Sequence, residues 1–127
     1  MNLEYLRDSA DGPVLLFHGE DPAGATTLLR TFEALASGDL TKVALHELTG
    51  IDAVGRCRVT AVAGSRSPGA HISADESIRW TLENLRWEEV ALLMEPFTAR
   101  AKKPGVQFQY LSDEGPTTVI VSTQKTW

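Results

Sequence analysis

The sequence predicts an α+β fold, a two-layer sandwich in which two helices cover one face of a mainly antiparallel, six-stranded sheet. Two segments carry apolar residues at helical spacing, and six short segments are either continuously apolar or alternate between apolar and polar residues. Helices packed on one face of a sheet bury both kinds of apolar surface. The 127 residues suit a single domain, spanning residues 1–127, with an ordinary hydrophobic core.

Local signals predict the first strand and the first helix. Val14 to His18 is a short apolar run that ends at Gly19, as is typical of a buried strand. Asp21 is predicted to cap a helix that starts at Pro22, because aspartate accepts hydrogen bonds from free backbone N–H groups and proline suits the first turn. An apolar stripe follows at helical spacing, and Gly38 is predicted to end the helix.

Two strands and a loop are predicted in the middle of the chain. The strands are residues 42–48 and 56–63; in the second, Cys57 and Val59 alternate with charged and polar side chains, which indicates one buried face. Residues 64–76 are rich in glycine, serine and proline, and they are predicted to form a long connection.

The last third of the chain is predicted to hold a strand, a helix and a hairpin. The strand covers residues 78–82, and the helix starts near Arg86 with Asn84 as its candidate cap. Residues 106–110 and 117–123 are predicted to pair as a hairpin around an Asp-Glu-Gly-Pro turn.

The order of these elements is β-α-β-β followed by β-α-β-β. Comparable strands recur at similar spacing in residues 13–63 and 77–123, which makes the chain compatible with a tandem βαββ duplication, although the side chains of the two halves differ. With both helices on one side, the opposite face of the sheet is left for solvent, a ligand or a second copy of the chain.

Charge and composition restrict the partners and the compartment. The net charge is −5, and residues 1–63 carry nine acids against five bases, which disfavours nucleic acid and favours a basic partner. Residues 1–12 lack the apolar stretch of a signal peptide, and no run is long enough to cross a membrane. With Cys57 as the single cysteine, no intrachain disulfide can form. A soluble, cytoplasmic protein is therefore predicted.

The segment from Gly19 to Thr26 comes closest to a catalytic or nucleotide-binding motif. It matches the phosphate-binding pattern GxxxxGK[ST] except that Ala25 stands in place of the lysine that reaches the phosphates. Glu20 and Asp21 would also repel an anion, and Pro22 lacks a backbone N–H. The segment is therefore interpreted as a capped helix start.

No catalytic residue, metal site or cofactor is predicted from the remaining side chains. The three histidines lie in separate segments without metal-ligand spacing, and Cys57 is expected to be buried and structural. A speculative binding surface is assigned to polar and aromatic side chains outside the predicted core. These are His18, His46, Arg66, His71 and Trp127.

These observations favour a non-enzymatic binding or interaction module, for example an immunity-like or inhibitor-like protein. Its expected partner is a protein or a second copy of the chain, such as a homodimer joined through open sheet faces. The alternative is a small-molecule-binding protein or enzyme with a cleft between the two βαββ halves.

Overall fold

The computed structural model describes residues 1–98 and 107–127, which form nine strands, two α-helices and a short 3-10 helix, η1. The α-helices are α1 (Pro22–Ser37) and α2 (Asn84–Thr98), and η1 covers Leu45–Glu47. The strands are β1 (Asn2–Ser9), β2 (Gly12–His18), β3 (Lys42–Ala44), β4 (Asp52–Ala53), β5 (Val59–Ala63), β6 (Gly69–Ile72), β7 (Ile78–Leu82), β8 (Phe108–Ser112) and β9 (Thr118–Ser122). No described helix combines the length and apolarity needed to span a membrane.

The strands form two mixed sheets, so the α+β class is confirmed but the single, mainly antiparallel six-stranded sheet is not. The five-stranded sheet has the order β4-β1-β2-β9-β8, and the four-stranded sheet has the order β3-β5-β7-β6. Three pairs are parallel, namely β1 with β4, β2 with β9 and β5 with β7, and the others are antiparallel. One isolated bridge, between Ala70 and Thr117, connects the two sheets.

Each predicted half contributes strands to both sheets. In the half comprising residues 13–63, β2 and the short β4 join the five-stranded sheet, whereas β3 and β5 join the four-stranded sheet. In the half comprising residues 77–123 the assignment is reversed, because β7 joins the four-stranded sheet and the β8–β9 hairpin joins the other. An origin of these halves by duplication stays a prediction.

Three strands lie where the sequence signals are weak. β1 carries exposed Arg7 and Asp8, yet it pairs with β2 along most of its length. β6 lies inside the predicted 64–76 loop, and β4 has only two residues. Short or polar strands of this kind form because the backbone N–H and C=O groups of a neighbouring strand are available for pairing. The side-chain pattern of one segment does not show where that neighbour lies.

The predicted strands 42–48 and 56–63 are shorter in the structure, where they become β3 and β5. At the C-terminal end of the first and the N-terminal end of the second, other hydrogen bonds take the place of strand pairing. After β3 the chain turns into η1, where the Nδ1 atom of His46 accepts the Val59 N–H at 2.9 Å. Before β5, the Cys57 N–H donates to the Val54 carbonyl at 3.3 Å in a turn.

Both helices are confirmed. At the start of α1 the Asp21 carboxylate accepts the Gly24 N–H at 2.9 Å, and after its end Gly38 has a φ of 86°, a left-handed conformation that glycine adopts at low cost. The second helix starts at Asn84, slightly earlier than expected. The Asn84 side chain donates to the Leu35 carbonyl at 2.8 Å and so satisfies an acceptor in the last turn of α1.

An aromatic cluster connects the two helices to the sheets. Phe32 of α1 stacks on Trp87 of α2 with ring centroids 5.5 Å apart, and Trp80 of β7 meets both rings edge-on at 5.6 and 4.7 Å. The Trp87 Nε1 atom donates to the Val62 carbonyl at 3.0 Å. The Trp80 Nε1 atom is buried and has no hydrogen-bond partner among the described residues. This cluster belongs to a core that includes residues of both sheets and both helices.

We expect Trp87→Phe to destabilise the protein by about 1 kcal/mol more than Trp80→Phe. Both changes remove similar apolar volume, but only Trp87→Phe breaks a buried hydrogen bond, whereas Trp80→Phe removes a buried donor that has no described partner. Urea unfolding of the two variants measures the difference. Equal losses, or a larger loss for Trp80→Phe, would contradict this account of the cluster.

Candidate functional site

His18 contacts the Glu4–Lys125 ion pair on the outer face of the five-stranded sheet, the face turned away from the helices. Its Nε2 atom lies 3.0 Å from Oε1 of Glu4, and Lys125 Nζ lies 3.0 Å from the other oxygen of that carboxylate. Burial acts to raise the pKa of Glu4, but hydrogen bonds from Lys125 and His18 outweigh it and lower this pKa. The ion pair attaches the chain after β9 to the β1–β2 hairpin.

Trp127 covers part of the same outer face. It packs against a small buried cluster formed by Val14, Leu16 and Ile120. Its Nε1 atom donates to the Asp11 carboxylate at 2.6 Å, while the Ser122 hydroxyl donates to the Thr126 carbonyl at 2.5 Å. Residues of the chain itself, rather than a ligand, thus occupy this region of the sheet face.

The other three residues of the predicted binding surface lie elsewhere. His46 is bonded to the backbone of β5, Arg66 is exposed in the loop between β5 and β6, and His71 is exposed on the outer face of the four-stranded sheet. Among the described residues, no three His, Cys, Asp or Glu side chains are grouped closely enough to hold a metal ion. A common surface made of all five residues stays a prediction.

The start of α1 is occupied by the protein's own groups, as a capped helix requires. The Asp21 carboxylate contacts the α-amino group of Met1 as well as the Gly24 N–H, and that amino group donates to the Gly50 carbonyl at 2.8 Å. Hydrogen bonds from the amino group and from Gly24 lower the pKa of Asp21. A carboxylate therefore sits where a phosphate would have to bind.

Cys57 lines a small cleft but is a poor nucleophile. Its side chain is buried, and burial raises the pKa of the thiol to about 11, so the thiol stays protonated at neutral pH. The cleft has a volume of about 180 Å³ and lies between the β1–β4 edge and the end of β6. Arg7 and Arg56 lie at this cleft, and Arg7 pairs with Glu76 at 3.6 Å.

A larger groove runs between the two helices on the side that faces solvent. This acidic groove has a volume of about 340 Å³. Its lining residues are Glu33, Ala36 and Ser37 of α1 and Glu88, Ala91, Leu92 and Glu95 of α2. The α2 residues recur at intervals of three, one and three positions, and therefore form one stripe along that helix.

The carboxylates of the acidic groove have no partner among residues 1–98 and 107–127. Glu33, Glu88 and Glu95 form no ion pair or side-chain hydrogen bond with any residue in the described ranges. Leu92 between them is 59% exposed, and Leu85, one turn before Glu88, is 74% exposed. The groove thus combines free negative charge with uncovered apolar surface, which is the pattern of a contact site for a basic amphipathic segment.

Sequence reasoning missed this groove although its residues were visible. Glu88 and Glu89 are adjacent in the sequence, but in the structure Glu89 pairs with Arg86 at 2.8 Å, whereas Glu88 faces the groove. The available signal was the stripe of Glu88, Leu92 and Glu95, which runs beside the core face of α2. Its partner on α1 could not be identified without knowing how the helices pack.

Comparisons of this chain with protein-family models, with curated protein sequences and with solved structures find no match. Its candidate sites are therefore argued from their geometry.

We expect Glu4→Gln to destabilise the protein by about 1 kcal/mol at pH 7 and by less at about pH 3. Folding lowers the pKa of Glu4. The ionised Glu4 side chain therefore makes its full contribution to the free energy of unfolding at pH values above its ordinary pKa of 4.5, and this contribution is lost as the pH falls through the lower pKa of the folded state. Urea unfolding at both pH values tests this, with exposed Asp8→Asn as the control. A loss of the same size at both pH values would refute the ionic origin.

Proposed function

We propose that this protein is a non-enzymatic interaction module whose acidic groove binds a basic segment of a partner protein. The observation that carries the proposal is the presence of three glutamates, Glu33, Glu88 and Glu95, around an apolar floor, none of them paired within the part of the chain that the structure describes. Unpaired carboxylates are the natural acceptors for lysine and arginine side chains.

The dimensions of the groove favour a segment of chain over a flat protein surface. A volume of about 340 Å³ accommodates a few side chains. Ala36, Ala91 and Leu92 offer apolar contacts for aliphatic groups, including the hydrocarbon stems of lysine and arginine, while the carboxylates meet their charged ends. A helix with basic and leucine residues on one face satisfies both requirements, as in other helix-in-groove complexes.

The net charge supports the same type of partner. A charge of −5 attracts a basic protein over a distance before any specific contact forms, and this accelerates association at low salt. An inhibitor-like or immunity-like protein, which masks a basic partner, would use such a contact. The buried, protonated Cys57 is consistent with a binding role in which no nucleophile is needed.

Calorimetric titration with a synthetic helical peptide of leucine and lysine tests the proposal. A helical peptide of leucine and glutamate serves as the acidic control. We expect binding of the basic peptide alone, weakening as salt increases. The triple variant Glu33→Gln, Glu88→Gln, Glu95→Gln should bind about tenfold more weakly, since three contacts of about 0.5 kcal/mol each are lost.

The matched control removes the same charge elsewhere. Asp8→Asn, Asp39→Asn and Glu47→Gln change three exposed acids outside the groove, and affinity should stay within about twofold of the wild type. If both triple variants lose affinity equally, the attraction is only that of net charge. If neither loses affinity, the peptide binds at another surface.

A second candidate function is the binding of a small carboxylate in the cleft beside Cys57. Arg56 supplies positive charge there beside the Arg7–Glu76 pair, and exposed Val54 and Ile72 supply apolar walls. A thermal-shift screen of short aliphatic carboxylates, compared between the wild type and Arg56→Gln, tests it. Stabilisation of the wild type alone supports this site, and no stabilisation at millimolar concentration rejects it.

A further inference from the structure

The edge of the five-stranded sheet formed by β8 carries two exposed aromatic side chains. Within the described part of the chain, β8 is the last strand on its side and pairs only with β9. Phe108 and Tyr110 are 45% and 42% exposed, and their rings meet at a centroid distance of 6.1 Å. Both lie on the outer face, because they pair with Ser122 and Ile120 of β9.

Among residues 1–98 and 107–127, no segment or charged side chain protects this edge in the way that the other sheet edges are protected. Free strand edges are usually kept from pairing by charged side chains, by short length or by a covering segment. β4 has two residues and carries Asp52, β3 carries Lys42, and β6 is covered in part where the Thr117 N–H donates to the Ala70 carbonyl at 3.2 Å. The β8 sequence, Phe-Gln-Tyr-Leu-Ser, contains no charged residue.

We propose that β8 pairs with β8 of a second copy of this chain, in antiparallel orientation about a two-fold axis. The resulting homodimer has one continuous sheet that runs through both copies. This inference goes beyond the proposed function, because the contact leaves the acidic groove on the helix side of each copy free.

The lack of charge along β8 permits a second copy as the occupant. A chain with a net charge of −5 repels its own kind, so two copies approach best through a segment without charge. Two acids follow the strand: Asp113 is exposed, and Glu114 is paired with Arg86, whose Nε and Nη2 atoms donate to it at 2.5 and 3.1 Å. A charged peptide would find no complementary group along β8.

The side chains of β8 are also self-complementary. With the two-fold axis at Gln109, Phe108 of each copy lies opposite Tyr110 of the other, on the same outer face. Cross-strand aromatic pairs stabilise antiparallel strands, and here the two symmetric pairs would extend the observed Phe108–Tyr110 contact into a cluster of four rings.

Sedimentation equilibrium over a range of protein concentrations tests the homodimer. We expect the wild type to dimerise and the variants Phe108→Lys and Tyr110→Glu to raise the dissociation constant at least tenfold. Both positions are more than one-third exposed, so the variants should keep the wild-type fold, which circular dichroism and thermal unfolding verify. Leu85→Lys, an equally apolar exposed position on α2, serves as the matched control and should leave the dimer intact.

Mixing the two variants gives a sharper test. In the proposed geometry the introduced lysine of Phe108→Lys lies opposite the introduced glutamate of Tyr110→Glu, so a mixed dimer should form where neither variant dimerises alone. Even a weak specific dimer is populated at a protein concentration of about 100 µM. A wild type that stays monomeric at this concentration overturns the proposal. A dimer that survives both substitutions, or variants that do not rescue each other, also overturns it.

Discussion

Two parallel strand pairs, β2 with β9 and β5 with β7, are the constraint on which the rest of the structure depends. Each joins one predicted half of the chain to the other, so neither half completes a sheet of its own. Apart from the short return to β4, the chain crosses from the five-stranded to the four-stranded sheet along α1 and comes back after α2. The two helices are thereby brought into direct contact above one shared core.

The aromatic cluster makes this arrangement specific. Phe32, Trp80 and Trp87 belong to three different elements, and their rings fit only when both helices and β7 are in place. The hydrogen bond from Trp87 to Val62 and the one from Asn84 to Leu35 fix the position of α2 against β5 and α1. Packing and directional bonds thus select the same helix position, which is the consistency expected of a unique native state.

The surfaces that result differ in character. The helix side presents free carboxylates beside exposed leucines, the outer face of the five-stranded sheet is partly covered by Trp127, and the β8 edge presents aromatic rings without charge. A basic segment in the acidic groove and a second copy at β8 would use separate surfaces. One homodimer could then present two grooves to a partner with repeated basic segments, and the two binding events would reinforce each other.

The sequence by itself determined the elements whose signals lie within a few residues. Asp21 and Gly38 delimit α1, and the alternation of Ile78, Trp80 and Leu82 identifies β7, because caps and side-chain periodicity depend on local geometry. Only the tertiary structure decided that β1, β4 and β6 are strands, that the sheets are two, and that Glu33 lies across a groove from Glu88. Those outcomes depend on pairing and packing between distant segments, whose free energy no local pattern contains.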